Sequence, residues 1–114
     1  NIHCGKLPKY AGMMPIFWQI YDGCDQITIT IQELGKKIDT GRIIYEQPMD
    51  VCNSFYETSV KAKKESAKAF MHLLSTDFNL AKKYSSNSSN INLKLTKFPA
   101  SHEIKSLSQK IKLI

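Results

Sequence analysis

The feature that most constrains this chain is the alternation in Gln26-Ile27-Thr28-Ile29-Thr30-Ile31-Gln32. Isoleucine and threonine favour extended backbone, and a period of two puts three isoleucines on one face and two threonines on the other. Residues 42–47, carrying Ile43, Ile44 and Tyr45, read as a second strand. The loop between them ends in Ile38-Asp39-Thr40-Gly41, so the two strands are expected to form an antiparallel pair whose connection carries Asp39.

The remaining elements are placed around this pair. The opening Asn1-Ile2-His3 reads as a strand end, with Asn1 and His3 on one face and Ile2 on the other. Gly5, Pro8 and Gly12 punctuate the loop that follows, and Pro15 suits a first helical position ahead of Ile16, Phe17, Ile20 and Tyr21. Asp22-Gly23 closes that short helix, and Phe17, Trp18 and Tyr21 are read as core packing. Residues 50–74 form a helical pattern with Asp50 as N-cap. Val51, Phe55, Ala62, Ala69, Phe70, Leu73 and Leu74 make its apolar stripe, and His72 is read as a surface or packing histidine rather than a functional one. Residues 85–90 (Ser-Ser-Asn-Ser-Ser-Asn) read as a polar linker, and residues 91–114 as a tail whose short helix starts with Ser101 as N-cap and Glu103 in its first turn.

Composition removes several alternatives. At 114 residues the chain fits one domain. No apolar run is long enough to span a bilayer, so no membrane partner is expected. Three widely spaced cysteines, Cys4, Cys24 and Cys52, argue against a disulfide framework and for a reducing, cytoplasmic setting. Neither C-x-x-C nor H-x-x-x-H occurs, so no metal site is expected. The net charge of +6 is read as a lysine-rich solvated surface, with attraction to an anionic substrate as the alternative. Lysine runs without interleaved aromatics argue against a nucleic-acid partner.

Asn1, His3 and Asp39 supply an amide, an imidazole and a carboxylate. Moving an acyl group between amines needs donors for the oxygen on which negative charge develops and a group that takes a proton from the incoming nitrogen. These three residue types meet that need.

Asn1-Ile2-His3, Leu7-Pro8-Lys9-Tyr10, Gly12, Pro15 and Ile38-Asp39-Thr40-Gly41 together resemble the catalytic half of the 10-formyltetrahydrofolate-dependent formyltransferases. The pattern of that family is N-I-H-P-S-x-L-P-x-x-x-G, followed after a helix and a strand by a loop ending D-x-G. The resemblance implies Asn1, His3 and Asp39 as catalytic residues. It implies Glu33, Leu34, Gly35, Lys36, Lys37 and Ile38 as the loop against the pterin ring of the formyl donor, 10-formyltetrahydrofolate. Cys4-Gly5 replaces Pro-Ser, Gln32 stands where many members carry a histidine, and Gly35, Lys36 and Lys37 occupy positions often acidic in the family.

The fold class implied is α/β: the C-terminal part of a formyltransferase-type Rossmann-like sheet, with an antiparallel strand pair, a long helix and a short C-terminal helix. Residues 1–84 would be part of a catalytic domain, and the missing N-terminal half of that domain would be its partner. The function implied is N-formyl transfer to an amine-bearing small molecule, such as a nucleotide-linked amino sugar. The alternative is a truncated, non-catalytic remnant that acts as a structural or folate-binding module.

Overall fold

The computed structural model describes residues 1–79 and 93–114. Three strands, β1 (Ile2–His3), β2 (Gln26–Gln32) and β3 (Ile43–Asp50), form one sheet in that order. Three helices, α1 (Pro15–Tyr21), α2 (Phe55–Ser75) and α3 (Ser101–Ser108), accompany it. Both strand pairings are antiparallel, with Ile2 opposite Ile31, His3 opposite Thr30, and Ile29 opposite Gln47. The expected pair therefore forms, and the expected bounds of its first strand hold.

Alternation along β2 sorts the molecule into layers. Ile27, Ile29 and Ile31 are fully buried. Ile27 packs with Phe17 and Ile20 of α1, Ala62 of α2 and Leu107 of α3, while Ile31 packs with Ala69 and Leu73 of α2. The opposite face carries Thr30 and Gln32, both buried polar residues. Residues paired across an antiparallel ladder share a face, so His3 lies beside Thr30 on this polar side.

Four boundaries differ from expectation. The second strand begins at Ile43 and runs to Asp50, through Pro48. A proline is tolerated there because β3 is an edge strand, where a missing N–H can face away from the ladder. Asp50 thus ends a strand, and the N-cap of α2 is Ser54, whose hydroxyl accepts from the Glu57 N–H at 3.0 Å. The buried stripe of α2 is Thr58, Ala62, Ser66, Ala69 and Leu73, whereas Phe70 and Leu74 are exposed. Phe70 and Leu74 each follow a stripe residue by one position, a 100° turn away from the sheet. In α3 the N-cap is Ala100, whose N–H donates to the Glu103 carboxylate at 2.7 Å, and Ser101 is the first helical residue. Of the surface and packing readings of His72, the structure shows the first: it is exposed. The expected polar linker at 85–90 falls outside the described residues.

Candidate active site

The polar face of the sheet builds the site. Register places Asn1 beside Gln32, whose N–H donates to the Asn1 carbonyl at 2.9 Å. His3 follows on the same face and is buried, with 7% of its surface exposed. Its Nε2 lies 2.7 Å from the Tyr10 carbonyl oxygen. A carbonyl only accepts, so Nε2 carries the proton and Nδ1 is the nitrogen turned towards Asp39. That separation is 3.6 Å, from Nδ1 to Oδ2.

Asp39 has a φ of 54°, a left-handed conformation that Asp adopts more readily than most residues. Its side chain is only 6% exposed. One oxygen, Oδ2, accepts the Gly12 N–H at 2.8 Å. The other, Oδ1, accepts from Gln32 Nε2 at 3.0 Å and from Asn1 Nδ2 at 3.4 Å. The Asn1 amide, 38 residues from Asp39 in the chain, and the His3 imidazole thus both meet this carboxylate.

Several elements hold these groups in place. Gln19, buried in α1, makes four bonds. Its Oε1 accepts from the Lys6 and Thr28 N–H groups (3.2 and 3.0 Å), and its Nε2 donates to the Cys4 and Pro15 carbonyls (3.0 Å each). Thr30 donates to the Gly5 carbonyl at 2.8 Å. Gly5 has no room for a side chain: a Cβ there would sit 2.6 Å from Pro15 Cβ and 2.8 Å from His3 Nε2. Glycine after Cys4 thus lets the loop close on the imidazole.

The tail straps the far side of the loop. Thr96 accepts the Met13 N–H (3.1 Å) and donates its own N–H to Ala11 (2.7 Å), while its hydroxyl lies 2.9 Å from the Ala11 carbonyl and 2.7 Å from the Met13 carbonyl. Gly12 is enclosed at φ 104°, and its N–H is aimed at Asp39.

Tyr10, whose carbonyl fixes His3, is anchored at its hydroxyl, which donates to Asp22 at 2.9 Å, accepts from Lys9 at 2.8 Å and lies 3.4 Å from Cys24 Sγ. Burial, with the Cys24 contact, pushes the Tyr10 phenol up to about 12. The Tyr10 and Asp22 hydrogen bonds push the Lys9 ammonium up to about 12. Both groups bind protons more tightly folded than unfolded, so the stability they contribute is complete below about pH 10 and is lost as pH rises towards about 12. Tyr10→Phe is therefore expected to flatten the decline in urea midpoint between about pH 9.5 and 11.5 relative to the wild-type chain.

Residues 33–38 rise from the end of β2 and leave Leu34 87% and Ile38 65% exposed. With Asn1, His3, Gly12, Gln32 and Asp39 they line one cleft of about 550 Å³. Every site residue named from the sequence lies on this cleft. The base of the loop is braced by the Glu33 N–H to the Arg42 carbonyl at 2.9 Å and by the Arg42 guanidinium on the Glu33 carboxylate at 2.6 Å. That guanidinium holds the Glu33 carboxyl below its ordinary range. Sequence reasoning missed Gln19, Tyr10 and Thr96 as supports. The one available signal was Gln19, a polar residue among the apolar positions of α1.

Comparison with known proteins places this arrangement. A methionyl-tRNA formyltransferase of Lachnospira eligens is 41% identical over 44 residues, 39% of this chain and 14% of that protein. The enzyme of the same name from Staphylococcus epidermidis is 43% identical over 51 residues, 45% of this chain and 16% of that protein. The aligned stretch is thus a small part of either relative. In fold, the chain is similar to a formyltransferase from Anoxybacillus kamchatkensis solved with a UDP-linked formamido sugar and tetrahydrofolate. That likeness has a TM-score of 0.68 at 21% identity and covers 86% of this chain and 51% of that one. The family model described as formyl transferase matches residues 1–78. The chain belongs to the formyl transferase family.

Proposed function

We propose that this chain carries the formyl-transferring centre of a 10-formyltetrahydrofolate-dependent N-formyltransferase, with Asn1, His3 and Asp39 as its catalytic residues. The observation that carries the reading is the convergence of the Asn1 amide, the His3 imidazole and the Gly12 N–H on one buried carboxylate at the floor of an open cleft. A cleft of this volume, with apolar Leu34 and Ile38 beside polar Asn1, Gln32 and Glu33, suits a flat ring with a polar edge. Residues 33–38 would hold the pterin, and the bound folate supplies the formyl group.

The side chains divide the work. Asn1 Nδ2 lies at the mouth of the site and can turn from Asp39 to the formyl oxygen as charge develops there. With Nε2–H committed to Tyr10, His3 can offer only Nδ1 to the cleft. That nitrogen donates only in the imidazolium form, whose charge the Asp39 carboxylate balances. Asp39 also receives the proton released by the attacking amine, directly or through water.

The acceptor we propose is an amine-bearing small molecule, with a nucleotide-linked amino sugar preferred on the resemblance of Phe98-Pro99 to the tail of sugar-type members. Residues 1–84 would form part of the catalytic domain, completed by an N-terminal half that continues the sheet in Rossmann-like fashion. The second reading is a structural or folate-binding module without transfer. Among the described residues no helix is long and apolar enough to cross a membrane.

Calorimetric titration with a non-reactive 10-formyltetrahydrofolate analogue tests the reading. Saturable binding of one analogue per chain, weakened by Asp39→Ala, is the expected result. A folded chain that binds none would overturn the assignment of the cleft. Binding without formyl transfer to any amine would select the second reading.

A further inference from the structure

Gln32 is 2% exposed and sits at the end of β2, where the register with β3 shifts between Ile31 and Gln32. Tyr45 lies opposite Ile31 and Ile43 opposite Gln32, so Ile44 is the extra residue of a bulge. Bulges sharpen strand twist and re-aim neighbouring side chains. Here the Gln32 amide reaches Asp39 Oδ1 at 3.0 Å. Asp39 accepts but does not donate as a carboxylate, so the nitrogen of the amide must be the end that faces it. The other end, Oε1, is buried and has no hydrogen-bond partner among the described residues. An unmet buried acceptor is destabilising, so packing alone gives no reason for an amide here.

We propose that Gln32 is a positioning residue: it holds Asp39 Oδ1 so that Oδ2 stays on the His3 Nδ1 side. The inference rests on the proposed formyl transfer, in which Asn1 turns to the formyl oxygen. The Asn1 contact with Oδ1 is already the longer one, 3.4 Å against 3.0 Å for Gln32. Once Asn1 turns away, Gln32 is the remaining side-chain donor on that oxygen among the described residues. Gln32 therefore releases Asn1 for its own task without letting the carboxylate swing.

The test compares wild type, Gln32→Met and Gln32→His, each checked for a cooperative melt. The first readout is the Gly12 amide proton in a nitrogen-correlated NMR spectrum, because that N–H bonds Asp39 Oδ2 and reports the position of the carboxylate without any catalysis. In Gln32→Met the resonance should move towards its place in Asp39→Ala, and in Gln32→His, which keeps a ring N–H donor, it should stay near wild type. The second readout is transfer kinetics. Gln32→Met should lower kcat by about 10²-fold with the KM for the formyl donor unchanged, and Gln32→His should recover most of that loss. An unmoved Gly12 resonance in Gln32→Met overturns the proposal whether or not the chain is active. So does a moved resonance with wild-type kcat. If wild type transfers nothing, the proposed function fails and the NMR readout alone decides the placement of Asp39.

Discussion

Asp39→Asn is expected to lower formyl transfer by about 10²–10⁴-fold while the chain melts close to wild type. The fold survives because the Gly12 and Gln32 bonds have replacements, and the exposed Asn1 amide can turn over to accept from the new NH₂. The Asn oxygen still accepts the Gly12 N–H that Asp39 now receives at 2.8 Å. Its new NH₂ would confront Gln32 Nε2, but turning the Gln32 amide over presents Oε1, the atom that has no partner in the wild-type arrangement among the described residues. The activity is lost because an amide can neither take the proton of the attacking amine nor balance an imidazolium at His3. Single-turnover transfer beside near-ultraviolet circular dichroism separates the two effects. Near-full transfer in a folded variant would remove Asp39 from the chemistry.

The largest effect on stability is expected from Gly41→Ala, at the last position of the D-x-G motif. A Cβ on Gly41 would fall on the Glu33 carbonyl oxygen and 2.6 Å from its carbon, 3.2 Å from the Gly35 nitrogen. All three are backbone atoms, so no side chain can yield. The Glu33–Arg42 rung at 2.9 Å would have to open, releasing the loop that bears Leu34, Ile38 and Asp39. Overpacking of this kind costs about 3 kcal/mol, and donor binding should fall with it. Urea unfolding and the same calorimetric titration would show both. A variant with wild-type stability would mean that the loop closes in another way.

These two residues also mark what sequence could and could not convey. The alternation of Ile27, Ile29 and Ile31 is a local property, and it correctly located β2 and the faces of the sheet. The residues of the cleft were named through the family resemblance, and the fold keeps them near one another: Asn1 directly precedes β1, His3 ends it, and Asp39 lies in the loop from the strand beside it. The start of α2 was misread because both Asp50 and Ser54 are good caps, and choosing between them required knowing that β3 extends through Pro48. Gln19 and Thr96 were not assigned roles for a different reason. Each satisfies backbone groups of the 4–15 loop, and such contacts leave no periodicity in the sequence. Gln32 was visible as a departure from the family pattern, but its role needed the distance to Asp39.

The Thr96 strap has a consequence for biosynthesis. During translation β1, β2, β3 and α2 are all made before the segment that encloses Gly12, whose bonds to Ala11 and Met13 span more than 80 positions of sequence. The sheet and its long helix can therefore assemble on a nascent chain while the N–H that seats Asp39 is still free to wander. A ribosome that stalls or terminates short of residue 96 would release a product that keeps this secondary structure and lacks the strap across Ala11 and Met13.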